Sequence, residues 1–145
     1  MARHKLWGIA LLHCAHWFYY SVIIALSYLW ITLAYAIWSG KDVFWPRLFD
    51  GSLLVYSLVR AATALAVHYK EISMVYKDRP AVPSVVWGLG YFLFVVFLIS
   101  YVFTLTVGDP VSFNPALYAI WCGVLATWYA FACSLLDRRW MSSLA

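Results

Sequence analysis

Charged residues are scarce in this chain of 145 residues. They make up 11% of the sequence, whereas soluble domains of average composition carry about 25%. Hydrophobic residues make up 66%. This composition is typical of an integral membrane protein. The net charge of +4 is therefore interpreted through membrane topology, and no nucleic-acid partner is predicted.

Acidic residues are absent from all the long apolar runs. The six lie in connections or at the ends of runs: Asp42, Asp50, Glu71, Asp78, Asp109 and Asp137. The chain also lacks a CxxC pair, a nucleophile motif and a glycine-rich phosphate loop, and Cys14, Cys122 and Cys133 are widely spaced. No acid–base dyad, redox site or catalytic residue is predicted, so we expect a protein that is not an enzyme by itself.

Four apolar runs are long enough to cross a bilayer, because a hydrocarbon core of about 30 Å requires about 20 helical residues. The predicted spans are residues 17–38, 51–69, 85–107 and 115–136. The spans must be helices, since each backbone polar group in lipid needs a partner within the protein. The sequence predicts a single all-α transmembrane domain over residues 1–145, with four helices in an antiparallel bundle.

The first apolar run, residues 6–39, is too long for one perpendicular span, because its helix would rise about 51 Å. One solution is an amphipathic interfacial helix over residues 4–15, which an interruption at residues 13–16 favours. The other is one long helix that projects beyond the membrane. Gly40 is the predicted C-cap of this run.

Positively charged residues predict the orientation. The N-terminus, the middle connection and the C-terminal tail carry seven of them: Arg3, Lys5, Lys70, Lys77, Arg79, Arg138 and Arg139. The first connection has only Lys41 and Arg47, and the third has neither lysine nor arginine. Because cytoplasmic segments are enriched in lysine and arginine, both termini are predicted to be cytoplasmic, with the protein in a bacterial inner membrane.

Arg60 lies near the middle of the second predicted span. An arginine at this depth costs roughly 3 kcal/mol on insertion scales, so it requires a partner. One interpretation is that hydroxyl groups and carbonyls within the bundle stabilise it, with Tyr56 and Ser57 as the nearest candidates. A second is that another subunit supplies a carboxylate, and a third is an anionic ligand, lipid or permeant ion.

Three histidines lie near the predicted cytoplasmic ends of the first two spans: His13, His16 and His68. Antiparallel neighbouring helices would bring them to a similar depth, and two imidazoles on two helices can ligate haem b. A metal site with His13, Cys14 and His16 is a further alternative, although it lacks the four ligands of a structural zinc site. The sequence predicts no cofactor, with haem b as the alternative.

Small residues recur every three or four positions along the fourth span and form a stripe that would let another helix approach closely. The stripe consists of Ala119, Gly123, Ala126, Ala130 and Ser134. Trp121 and Trp128 lie on a neighbouring face, too deep for an interfacial belt. They are expected to fill the bundle or to contact a partner.

These features predict a non-catalytic subunit of a larger inner-membrane assembly, of the secretion, conjugation or respiratory type. Its expected partners are membrane lipids and other integral membrane subunits. Two alternatives remain. One is an electron-transfer subunit that binds haem b or a quinone, and the other is a small homo-oligomeric channel or transporter in which Arg60 favours anions.

Overall fold

A computed structural model describes residues 2–44, 52–106 and 115–139, and all the extended regular elements in these ranges are helices. They are α1 (Ala2–Phe18), a π-helix (Tyr19–Ile24), α2 (Ser27–Ser39), α3 (Ser52–Val75), α4 (Ala81–Thr106) and α5 (Pro115–Leu136). Four helical segments are long and apolar enough to cross a membrane. In the described residues, the predicted all-α fold with four helices able to cross a membrane is confirmed.

The N-terminal region departs from the predicted pattern. The helix continues without interruption through residues 13–16, and the irregular stretch comes later, in the π-helix and the turn that follows it. His13 lies inside the helix, and its ring nitrogen Nε2 is 2.8 Å from the Ser134 hydroxyl oxygen. Gly40 is the C-cap of α2 with φ of 67°, as predicted, a backbone conformation that suits glycine.

The connection between α3 and α4 is shorter than the sequence predicted, because both helices extend into it. α3 continues to Val75, and α4 begins at Ala81. Pro83 lies in the first turn of α4, where the missing N–H costs nothing. Ser84 lies inside the helix, and its hydroxyl donates to the Pro80 carbonyl over 3.0 Å.

α3 is the central helix of the bundle, since it packs extensively against both α4 and α5. The small-residue stripe of α5 is buried, and Gly123 lies directly beside Leu53 of α3. Gly90 brings α4 close to α5, where the Tyr129 hydroxyl donates to the Val86 carbonyl over 2.8 Å. Small side chains thus allow the close helix approaches from which the core is built.

The N-terminal helices pack against this bundle more loosely. Trp17 meets Phe131 of α5 with ring centroids 5.1 Å apart. Beyond such contacts, a long apolar groove separates the N-terminal helices from α3 and α5. Of the four candidate spans, the N-terminal one is the least buried within the protein. Its apolar surface is therefore left for lipid or for other proteins to cover.

Candidate functional site at the intramembrane arginine

Arg60 reaches from α3 to the π-helix of the N-terminal region. Its Nη2 donates to the Ser21 carbonyl oxygen over 2.6 Å. The guanidinium carbon also lies 5.4 Å from the ring centroid of Tyr56 and 6.0 Å from that of Trp17. A guanidinium at these distances is attracted by the negative faces of aromatic rings. Arg60 therefore holds the N-terminal helix against α3.

Tyr56 completes this contact one turn away on α3. Its hydroxyl donates to the same Ser21 carbonyl over 3.2 Å and lies 2.9 Å from the Thr127 hydroxyl of α5. The Tyr56 side chain of α3 thus bonds to both the π-helix and α5. Tyr56, one of the two residues expected beside Arg60, therefore lies next to the guanidinium.

Ser57 does not contribute to this site. Its hydroxyl donates to the Leu53 carbonyl within α3 over 2.8 Å, and the residue is fully buried. It lies on the α5 side of the helix, near Gly123. Ser57 was expected beside Arg60, but although it lies only three residues before it on α3, its hydroxyl bonds within the helix and its side chain faces α5.

The π-helix places its backbone opposite Arg60. Helices of this type accommodate an extra residue per turn and commonly occur as short segments at functional sites. Ser21 is buried, and its carbonyl accepts hydrogen bonds from both Arg60 and Tyr56. These two side chains therefore stabilise the irregular segment from α3.

The positive charge of Arg60 is solvated but not neutralised by the described residues. The carbonyl and the two rings are dipolar or quadrupolar groups, and no carboxylate in residues 2–44, 52–106 and 115–139 bonds to the guanidinium. Its Nε is buried without a hydrogen-bond partner in the same ranges. Arg60 lines a recess of about 380 Å³ between the N-terminal helices and α3, together with the polar side chains of Tyr28, Ser52, Tyr56 and Thr63.

A second polar cluster lies where α3 and α5 approach their C-terminal ends. His68 Nδ1 lies 2.6 Å from Asp137 Oδ2, and Arg139 Nε donates to both oxygens of the same carboxylate over 3.0 Å. Arg139 Nη2 also donates to the Val67 carbonyl of α3 over 3.1 Å. These bonds fasten the end of α5 to α3.

The environment of Asp137 keeps its carboxyl group ionised. Burial by itself raises the pKa, but the hydrogen bonds from Arg139 and His68 act in the opposite direction. The net effect lowers the pKa of Asp137 to about 2. Because the carboxylate stays charged at neutral pH, it supplies a fixed negative charge to both partners.

The structure places two of the three candidate haem or metal ligands at the same end of the bundle and turns the ring of the third away. His13 and His68 lie at the same end of the bundle, since His13 contacts Ser134 one turn before the Asp137 that contacts His68. His16 lies elsewhere, with its ring 4.7 Å from that of Tyr20. Within the described ranges, no three histidine, cysteine or acidic side chains are grouped as metal ligands.

Sequence reasoning missed the His68–Asp137 pair, since Asp137 was treated only as the polar end of a span. The predicted topology already indicated that these two residues would lie close together. The second and fourth spans were both expected to end on the cytoplasmic side, at His68 and just before Asp137. An imidazole and a carboxylate at the same ends of neighbouring helices are a natural hydrogen-bonded pair.

A comparison with protein-family models, curated proteins and solved structures found no match to this chain. The function is therefore argued from the geometry alone.

Proposed function

We propose that this protein is a non-catalytic subunit of a larger assembly in the bacterial inner membrane, such as a secretion, conjugation or respiratory complex. The observation that carries the proposal is the charge of Arg60, for which the described residues offer dipoles but no carboxylate. A partner helix with an aspartate or glutamate at the same depth would neutralise it. Desolvated pairs of this kind specify which helices associate.

The recess beside Arg60 supports the proposal. Its rim includes Val55 and Val59 of α3, whose side chains are exposed on the outside of the bundle. A partner side chain can therefore approach the guanidinium from the membrane without displacing α3, α4 or α5. The 380 Å³ recess is wide enough for a carboxylate side chain and its hydrogen bonds.

The two deep tryptophans of α5 give further support. Trp121 points out of the bundle and is 59% exposed, while Trp128 is 60% exposed and lines the apolar groove beside the N-terminal helices. Of the two expected roles, filling the bundle or contacting a partner, the second therefore fits their placement. Tryptophan is also among the side chains that contribute most to protein interfaces.

The contacts support an antiparallel arrangement in which both termini lie on the same side of the membrane, which the positively charged residues predict to be cytoplasmic. His13 and Trp17 contact Ser134 and Phe131 in reverse order, so the N-terminal helix opposes α5. The pairs along α4 and α5 are also in reverse order: Val86 with Tyr129, and Ser100 with Tyr118. The pairs along α3 and α5 run in the same order: Leu53 with Gly123, and His68 with Asp137.

Co-purification tests the proposal. The tagged protein is extracted from its native membranes in a mild detergent, and the proteins that accompany it are quantified by mass spectrometry. We expect at least one stoichiometric membrane partner, and we expect Arg60→Gln to reduce its recovery about tenfold or more, which corresponds to the loss of about 1.4 kcal/mol. Arg79→Gln, at an exposed position in the connection after α3, is the matched control.

Two results would contradict the proposal. One is a wild-type protein that purifies alone, and the other is an unchanged partner yield for Arg60→Gln. Because Arg60→Gln also removes the bond to Ser21, its folding is checked by thermal denaturation. Reversing both charges, with Arg60→Glu and arginine in place of the acidic residue of the identified partner, is expected to restore the complex.

The haem alternative stays a prediction and has a separate test. A haem between the N-terminal helix and α3 would need ring nitrogens of His13 and His68, which here contact Ser134 and Asp137. A visible absorption spectrum of the purified protein without a Soret band would exclude it.

A further inference from the structure

The recess at Arg60 adjoins one particular face of α3. Its lining extends along that helix from Ser52 to Thr63, and Val55 and Val59 lie on its rim. Both valines are exposed on the outside of the bundle. Because α3 begins at Ser52, the Cα atom of Arg60 lies about 12 Å along the helix from that end. A group that pairs with the guanidinium from outside the bundle must therefore lie at this depth.

Small side chains cover the exposed face of α3 beside the recess. Between Ser52 and Val67 no exposed side chain is larger than valine, and we term these residues the α3 strip: Val55, Val59, Thr63, Ala66 and Val67. The exposed faces of α4 and α5, in contrast, carry large aromatic side chains, among them Phe92, Phe103 and Trp121. All members of the strip except Ala66 recur at every fourth position. In a membrane this pattern lets another helix approach closely.

The charge of Arg60 decides what kind of helix the strip accepts. A second copy of this chain cannot supply the carboxylate, because all six acidic residues lie in connections or at the ends of apolar runs. A phospholipid carries its phosphate at the boundary of the hydrocarbon core, whereas Arg60 lies near the middle of its span. Charge complementarity therefore selects a different protein, with an acidic residue inside its own span.

On the basis of the proposed subunit role, we propose that the α3 strip binds one transmembrane helix of a different subunit, whose aspartate or glutamate enters the recess and pairs with Arg60. This acidic residue lies about eight residues inside the partner's span, counted from the end that is level with Ser52, because Arg60 lies that far inside α3. Small side chains accompany it on the same face of the partner helix, since they permit the close approach.

Photo-cross-linking in native membranes tests which face the partner covers. A diazirine amino acid of about the size of leucine replaces Val59 in the tagged full-length protein, or Ile99 on the exposed face of α4 as the matched control. Ile99 lies as far from the end of α4 at Thr106 as Val59 lies from the start of α3. We expect cross-linking from position 59 to be at least tenfold more efficient than from position 99.

Mass spectrometry of the cross-linked peptide tests the chemistry of the partner. Capture of a protein by itself is not sufficient. The peptide is expected to belong to a transmembrane helix of another protein and to carry an aspartate or glutamate at the predicted depth.

A steric variant separates the contribution of the α3 strip from that of the charge. Val59→Phe leaves Arg60 in place but puts a ring where the partner helix approaches, so it is expected to reduce partner recovery in co-purification about tenfold or more. Ile99→Phe is the matched control and is expected to leave recovery unchanged. Val59 and Ile99 are 53% and 50% exposed, so both variants are expected to fold, which thermal denaturation checks.

Four results would overturn the proposal: equal partner recovery with Val59→Phe and the wild type, equal cross-linking from the two positions, cross-links from position 59 only to lipid or to a second copy of this chain, or a partner span without an acidic residue at the predicted depth. With a partner that still co-purifies with the wild type, each of these results leaves the subunit role intact. A wild-type protein that purifies alone contradicts the subunit role itself, and the α3 strip proposal with it.

Discussion

Gly90 lies where α4 passes closest to Tyr129 of α5. A Cβ atom at this position would overlap the Tyr129 hydroxyl and would lie 2.8 Å from its ring carbon Cζ and 3.3 Å from Leu65 Cδ1. Tyr129 is 1% exposed and donates to the Val86 carbonyl, so its ring has little space into which it can move. Gly88, two residues earlier, has no atom within 4 Å of the same position.

The first prediction compares these two glycines. Gly90→Ala is expected to lower the free energy of unfolding by about 2 kcal/mol, because overpacking displaces a buried tyrosine. Gly88→Ala is expected to leave it unchanged or to raise it by about 0.5–1 kcal/mol, since alanine has less conformational freedom to lose in a helix. Thermal denaturation in detergent, monitored by tryptophan fluorescence, measures the stability of both variants. Equal effects of the two variants would contradict the packing at Gly90.

Arg60 shows how far sequence reasoning reaches at a single residue. Its depth and its need for partners follow from the apolar run around it, and Tyr56, one turn away on the same helix, was expected beside it. The Ser21 carbonyl and the Trp17 ring could not be predicted. Both belong to another helix, and the sequence does not specify how that helix is rotated and shifted against α3.

At the scale of whole elements, the ends of α3 and α5 are joined by the His68–Asp137–Arg139 cluster. The Asp137 side chain is 4% exposed, while that of His68 is 20% exposed. Loss of one partner from such a pair leaves a buried polar group with unsatisfied bonds, which is costly. Removal of one member of the His68–Asp137–Arg139 cluster should therefore lower the free energy of unfolding.

The second prediction concerns Asp137→Asn. This change is expected to lower the free energy of unfolding at pH 7 by about 2 kcal/mol, since it removes a charged acceptor of several hydrogen bonds. The pKa of Asp137 is about 2 in the folded protein, below the ordinary value of 3.8. The stabilisation should therefore be complete above pH 4 and disappear as the pH falls through 2.

Thermal denaturation of the wild type and the variant between pH 7 and pH 3 measures this difference. Asp78→Asn, at an exposed position between α3 and α4, is the matched control and should have no comparable effect. The difference in free energy of unfolding between the wild type and Asp137→Asn is expected to stay constant from pH 7 to pH 5. A difference that already vanishes at pH 5 would contradict the strong ion pair.

The break in the N-terminal helix illustrates why element boundaries depend on tertiary contacts. The polar residues at positions 13–16 predicted an interruption, but His13 meets Ser134 and the helix continues. The π-helix falls instead within the apolar stretch YYSVII, which has no glycine or proline. Its backbone meets Arg60 and Tyr56 from α3, and these contacts cannot be read from the local sequence.

At the scale of the whole molecule, the third prediction concerns orientation. A green fluorescent protein fused after Ala145 is expected to fluoresce, because the C-terminus is predicted to be cytoplasmic. Alkaline phosphatase fused after Gly40 is expected to be active, because the first connection is predicted to lie outside. The same phosphatase fused after Asp78, in the middle connection, serves as the control and should be inactive. The opposite pattern would invert the topology and place Arg3 and Arg139 on the outer side.

The sequence by itself determined the helical class of this protein, the number of helices able to cross a membrane and, for the last three, their approximate positions. These follow from the hydrophobic effect and from the demand that each backbone polar group in lipid be satisfied, which are properties of each segment alone. The small-residue stripe of α5 was likewise readable because close approach needs only small side chains at regular spacing.

Only the tertiary structure decided how those helices meet. The Ser21 carbonyl at Arg60, the pairing of His68 with Asp137 and the apolar groove beside α1 each depend on the rotation and depth of one helix relative to another. Many such arrangements satisfy the same hydropathy pattern. Side-chain packing selects among them, because specific contacts form only when groups from distant parts of the chain reach the same place.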